Sequence, residues 1–197
     1  MDHDKRIPRS QKEIYGAFLE LIEKKGFEEI TTTDIIVASG YSRGTFYAYF
    51  EDKYDLANKV LENEIHNFVD IIAGTIKRRK RIVIEPGVYE PVYQLFLHVN
   101  EHHRLYKLIL ESKIPGYTLD QFVVALNERF KKEVDVELNQ WPDGFSKDFY
   151  TYVNTYTFII YIKYWGMHDF ELSVDYMAEQ VTHMLNRGKA KYVFGKL

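Results

Sequence analysis

The sequence contains no cysteine, which removes disulfides, thiol nucleophiles and thiolate metal ligands at once and suits a reducing compartment such as the cytoplasm. No run approaches the roughly 18 consecutive apolar residues of a membrane-spanning helix, and even TFIIYIKYWGM carries Lys163 in its middle. The opening MDHDKRIPRS is charged and lacks the apolar stretch of a signal peptide. A soluble, cytoplasmic protein with no membrane partner is therefore expected. A surplus of positive charge is also missing: 26 Lys and Arg stand against 29 Asp and Glu, a net charge of −3, which works against diffuse attraction to a polyanion. Finally, no nucleophile stands beside a base, and there is no phosphate-binding loop and no ligand-complete metal cluster. Neither an enzyme nor a bound cofactor or metal is expected.

What the chain does have is apolar and aromatic bulk, with 46% hydrophobic residues, 16 Tyr and 13 Phe in 197 residues. That is enough to bury a core without covalent staples. The spacing of these residues is helical. Ile14, Ala17, Phe18, Leu21 and Ile22 lie on one face of a first helix over 10–25; Gly26 ends it and Phe27 is placed to fold back on it. Thr31 and Asp34 form a capping box that starts a second helix over 32–39, burying Ile35 and Ala38. Gly40 breaks that helix, and Ser42 is a good N-cap for a short third one over 43–49, with Phe46 and Phe50 turned inward. A fourth helix begins near Asp52, carrying Leu56, Val60, Leu61, Ile65, Phe68 and Ile72. Breakers at Pro86-Gly87, Pro115-Gly116, Pro142-Asp143-Gly144 and Gly188 then delimit helical segments near 88–112, 118–140, 146–166 and 172–187, with a joint near His103. The fold class predicted is all-α, divided into a helix-turn-helix head over 1–56 and a sensing and pairing body over 57–197.

Two short helices joined by a glycine turn, the second opening on small polar and basic residues, is the arrangement that carries a recognition helix into a major groove. Ser42, Arg43, Gly44 and Thr45 are short or polar enough for that approach. Gly44 costs about 1 kcal/mol within a helix relative to alanine, so closeness of backbone counts there. Thr32, Thr33, Tyr47 and Tyr49 can present hydroxyls to phosphates. Lys53, at the start of the fourth helix, is a cation where the helix dipole disfavours one unless an anion is near. The segment TTTDIIVASGYSRGTFYAYFEDKYDL closely resembles the N-terminal signature of the TetR family of bacterial regulators, matching at Thr31, Asp34, Ile35, Gly40, Ser42, Gly44, Thr45, Tyr47, Phe50, Lys53 and Leu56. Ile36 and Ser39 depart from it where the family usually places alanine. LFLHVNEHHRLYKLILESK resembles, more weakly, a C-terminal domain found in Firmicutes members. The resemblance implies a homodimer on palindromic double-stranded DNA, usually a repressor, released by a small-molecule effector in the body; control by a protein partner is the alternative.

Several features stay open at this level. The head carries the whole charge deficit, eight basic against eleven acidic residues over 1–56, which implies weak non-specific DNA binding. KRRKR at 77–81 reads either as a polyanion patch or as a solvated helix end. His98 and His102 share a helix face with His103 adjacent, but no third ligand accompanies them in sequence, so a metal is not expected there. Phe96, Tyr106, Phe122, Tyr152 and Tyr156 are candidates for an aromatic effector pocket and could equally be core. The segment 146–166 is apolar around most of its circumference, and with 172–187 it suggests a four-helix dimer interface through Ile160, Tyr164, Met177, Val181 and Met184.

Overall fold

The computed structural model describes residues 7–78, 90–115, 118–133, 144 and 146–186. Among them the elements are helices only: α1 (Arg9–Lys25), α2 (Thr32–Ser39), α3 (Arg43–Tyr47), α4 (Lys53–Arg78), α5 (Glu90–Glu101), α6 (His103–Leu110), α7 (Leu119–Glu133), α8 (Lys147–Gly166) and α9 (Val174–Asn186). The breaker-delimited segments of the sequence reappear as far as the described residues reach, 134–140 of the expected 118–140 segment lying outside them, and the joint expected near His103 falls at His102 between α5 and α6. Residues 79–81 of the basic run lie outside the described residues.

Local chemistry accounts for the N-terminal elements. The Thr31 hydroxyl accepts from the Asp34 amide at 3.1 Å while Asp34 Oδ2 accepts from the Thr31 amide at 2.8 Å, closing the capping box at the start of α2. Gly40 stops α2 in the left-handed conformation, with φ 72° and ψ 10°, a region a side chain would disfavour. Ser42 Oγ then accepts from the Thr45 amide at 3.1 Å and opens α3. Ile14, Phe18, Ile22, Ile35, Phe46, Phe50 and Leu56 close the core of this three-helix unit. Phe27 does fold back, its ring standing edge-on to Phe18 at 6.1 Å. The partner of Ile35 in that core is Ile36 rather than Ala38, which is exposed: α2 turns its Ile35–Ile36 edge toward α1.

Beyond the head, α4 packs on α5 and α7, α5 on α9, and α7 on α8, while α6 bridges α8 and α1. A train of rings fills the space between them: Phe68 on Phe158 at 5.2 Å, Phe158 on Phe96 at 5.4 Å, Phe96 on Trp165 at 5.5 Å and Trp165 on Phe170 at 5.5 Å. No described helix is long and apolar enough to cross a membrane.

The structure corrects two expectations about the body. Phe96, Tyr106 and Phe122 line neither of the described clefts; all three are buried in the core, and Tyr106 meets Phe122 edge-on at 6.3 Å. Tyr152 and Tyr156 pair with each other at 4.6 Å on α8, Tyr152 exposed and Tyr156 half-buried against the core. In the anticipated dimer interface, Met177 and Val181 are 2% and 3% exposed, because α9 spends that stripe on packing against α5 within its own chain. Ile160, Tyr164 and Met184, by contrast, are exposed at 60%, 46% and 63%.

Candidate nucleic-acid interface

Helix α3 is amphipathic within a single turn and a half. Phe46 is fully buried, and its ring stacks against Phe50 at 5.3 Å, which anchors the helix to the head core. Ser42, Arg43, Gly44 and Tyr47 are exposed, and Thr45 is half-buried beside them. Arg43 makes no hydrogen bond or ion pair with any described residue. Tyr47 is 55% exposed, its ring edge resting on Phe46 at 5.5 Å. Thr33 is exposed and Thr32 half-buried at the start of α2. The arrangement leaves one guanidinium, a bare backbone at Gly44 and short hydroxyls facing outward from a rigidly seated helix.

Two of the anticipated backbone clamps are already engaged elsewhere. Lys53 Nζ donates to the carbonyl oxygens of Phe27, Glu28 and Ile30 at 3.0, 3.3 and 2.9 Å and lies over the Phe27 ring at 4.8 Å. The negative partner its position demanded is thus a cage of loop carbonyls between α1 and α2. Lys53→Met is accordingly expected to destabilise the head by about 2 kcal/mol in urea unfolding, since hydrogen bonds to a charged donor contribute about 1.5–3 kcal/mol. A variant as stable as the wild type but weaker on DNA would instead restore Lys53 to the DNA surface. Tyr49 is half-buried, and its hydroxyl accepts from Ser10 Oγ at 3.2 Å, tying α3 to α1.

Five of the eleven acidic residues of the head are engaged in ion pairs. Glu13 accepts from Arg9 at 2.7 Å and from the Tyr41 hydroxyl at 2.5 Å, and the Tyr41 bond, then that of Arg9, holds its carboxyl below the usual range. Glu20 pairs with Lys24, Asp34 with Lys25 and Asp55 with Lys59. Glu23 pairs with Arg104 of α6 at 2.9 Å, a link from head to body. Such exposed pairs add little stability, but they leave Arg43 as an uncompensated cation on the outer face of α3.

Two family models match the chain: bacterial regulatory proteins of the tetR family over residues 14–60, and a transcriptional regulator C-terminal region over 88–187. The chain belongs to the TetR family of bacterial transcriptional regulators. Its members are DNA-binding regulators and not enzymes. A relative in Bacillus subtilis, the HTH-type transcriptional regulator YxbF, is 21% identical over 195 residues, 96% of this chain and 48% of that protein, so the chain spans about half that relative's length. DhaS of Lactococcus lactis, the transcriptional activator of the dhaKLM operon, is 30% identical over 61 residues, 31% of this chain and 33% of that one. Among solved structures, FadR from Bacillus subtilis in complex with stearoyl-CoA superposes with a TM-score of 0.65 at 16% identity, covering 91% of this chain and 99% of that one. At that identity the likeness is one of fold.

A second cluster lies in the body. Glu64 of α4 is almost fully buried, and its two carboxylate oxygens contact His98 Nε2 and His102 Nδ1, each at 2.7 Å. Burial alone would raise the Glu64 carboxyl, but the charge of His98 and hydrogen bonds from both imidazoles outweigh it and hold the group well below the ordinary carboxylate range. Sequence reading missed Glu64 as the partner of the two histidines, and with it the third ligand whose absence had argued against a metal. A signal was present: Glu64 falls among Val60, Leu61, Ile65 and Phe68 on the buried stripe of α4.

Proposed function

We propose that the protein is a two-fold dimeric transcription regulator that binds a palindromic operator, with one α3 entering each of two successive major grooves about 34–36 Å apart. The observation that carries this reading is the outer face of α3. An added Cβ at Gly44 would meet only Ser42 Oγ at 3.7 Å, so nothing inside the chain requires glycine there. The requirement for a bare backbone lies outside, where a groove wall would come close. On this reading Arg43 and Thr45 contact base edges, while Ser42, Tyr47 and the α2 threonines Thr32 and Thr33 contact the sugar-phosphate backbone. We take residues 1–56 as the head and 57–197 as the body, with α4 running from one into the other.

The body is the place for control. FadR of Bacillus subtilis was solved with an acyl-CoA, which supports an effector site in this C-terminal fold. Here the ring train from Phe68 to Phe170 occupies the body interior, and the larger of the described clefts, about 290 Å³, lies between α1, α4 and the α5–α6 joint. An effector seated there would act directly on the angle between head and body. We favour repression; DhaS, named as an activator, marks the same fold as able to act with the other sign.

The test is selection of genomic DNA fragments by the purified chain at fixed salt beside Arg43→Ala. The wild type is expected to enrich a palindrome, and the variant to bind it roughly 10- to 100-fold more weakly with relaxed preference at one base pair per half-site, since a bidentate base contact discriminates by about 1–3 kcal/mol. Uniform weakening on all sequences would sink base reading by Arg43, and no enrichment by the wild type would sink the operator reading.

A further inference from the structure

We propose that Glu64, His98 and His102 form a binding site for one borderline divalent transition-metal ion, of the Zn²⁺, Co²⁺ or Ni²⁺ kind, with a coordination position left open toward the cleft at the head–body junction. One ligand atom from each residue lies within 4.8 Å of the others, so a single ion reaches all three. Two imidazole nitrogens with one carboxylate oxygen suit a borderline cation. Mg²⁺ and Ca²⁺ demand all-oxygen shells, and Cu⁺ prefers sulfur, which the cluster does not offer.

The framework around the three ligands is prepared for an ion. His98 and His102 stand one helical turn apart with ring centroids 4.2 Å from each other, and both rings turn toward the same carboxylate. Tetrahedral bonds of about 2.0–2.1 Å put donor atoms about 3.3 Å apart, whereas each histidine now touches a different Glu64 oxygen at 2.7 Å, so a modest turn of the carboxylate and rings within the 4.8 Å cluster seats the ion. The ion takes the place of the protons now shared with Glu64, and a neutral imidazole accommodates this by carrying its proton on its other ring nitrogen. Access exists on one side, because Glu64 and His102 form part of the wall of the 290 Å³ cleft while His98 backs the site from the interior.

A second observation points into the same place. The Tyr106 hydroxyl is buried against Glu64, whose carboxylate acts on it by charge and hydrogen bonding, yet it makes no well-formed hydrogen bond to any described residue. A buried hydroxyl so poorly satisfied is uncommon in a packed core and needs a reason. A water or anionic group on the open coordination position would give it a better partner, so Tyr106 borders the site.

The location gives the ion leverage. Glu64 lies on α4, whose first turn belongs to the head; His102 is the joint between α5 and α6; and Arg104, two residues on, pairs with Glu23 of α1 at 2.9 Å. Ligation draws α4 and the α5–α6 joint together beside the head. An effector role for the ion rests on the regulator reading above, whereas the site itself does not.

The full-length chain is freed of metal with a chelator and titrated with Co²⁺ and Zn²⁺. One ion per chain is expected, with ligand-field absorption in the visible from Co²⁺ that Zn²⁺ displaces. Glu64→Gln and His102→Gln should each weaken binding at least about 100-fold, a ligand being worth more than the outer-shell groups whose loss costs about 10- to 100-fold. His102 is half-buried at a helix joint, so its variant decides the matter if Glu64→Gln does not fold. Absence of stoichiometric binding by the wild type, or unchanged binding by a folded His102→Gln chain, overturns the site. Operator affinity is then compared for metal-loaded and chelated wild type: a change of at least about fivefold supports the effector role, and equal affinity refutes that role.

Discussion

Trp165→Ala is expected to lower stability by about 3–5 kcal/mol, the range for emptying the space of a fully buried large aromatic side chain. Trp165 is 0% exposed and sits between Phe96 and Phe170, each at 5.5 Å, so truncation opens a cavity in the middle of the ring train. Its indole Nε1 donates to the Leu172 carbonyl at 2.9 Å, across the turn that follows α8. That turn holds Asp169 and Phe170 at φ 50° and 59°, left-handed conformations that cost non-glycine residues about 1 kcal/mol or more and persist only under constraint from their surroundings. The indole supplies two of those constraints, the ring under Phe170 and the bond to Leu172. Domains are stable by only about 5–15 kcal/mol in total, so the loss is a large share. In thermal unfolding it corresponds to a fall in Tm of roughly 6–20 °C for a chain of this size. Trp165→Phe keeps a ring but not the donor and should lose less. A fall below about 2 °C for the alanine variant would mean that the ring train is not what holds α8 to α5.

The parts of this molecule that were legible in the sequence are those whose physics is local. The Thr31–Asp34 capping box, Gly40 and Ser42 act over three or four residues, and each determined the helix end it marks. The Pro and Gly breakers of the body predicted helical segments that the described helices α5 to α9 match in position. What sequence could not convey was direction. An amphipathic stripe shows that α9 buries Met177 and Val181, but not whether against α5 of the same chain or against a second copy. The aromatic residues showed bulk without showing that Phe96, Tyr106 and Phe122 are buried while Tyr152 is exposed. Lys53 was read as awaiting an anion because its carbonyl partners, 23–26 residues earlier, form a loop that only tertiary structure brings to it. Glu64 and its histidines are 34 and 38 residues apart, beyond any short motif, and only the placement of an acid on a buried stripe hinted at them.

The largest functional effect is expected from Ile160→Asp. The buried stripe of α8 consists of Thr151, Thr155, Ile159, Ile162 and Trp165, with Thr155 donating to Asn127 of α7 at 3.4 Å. On the opposite side Phe149, Tyr152, Val153, Ile160, Tyr164 and Met167 are exposed, and Tyr176 and Met184 of α9 are exposed as well. The exposed face of α8 alone carries six large apolar side chains, the pairing surface that the proposed dimer needs, and TetR-family regulators usually dimerise. Under two-fold symmetry one substitution puts two carboxylates into the interface, each removed from water without a partner. The variant should therefore sediment at the chain mass of 23.4 kDa rather than at twice that value. An operator bound by two linked heads gains roughly 10²–10⁴ over a single head, so affinity should fall by that order. Thermal stability of the separated chain separates this effect from core damage, because Ile160 is 60% exposed in the single chain while Met177 is 2% exposed. Met177→Asp is accordingly expected to unfold the body, and Ile160→Asp to leave it folded and monomeric. A dimer that survives Ile160→Asp would place the pairing surface elsewhere and leave the exposed face of α8 to another partner.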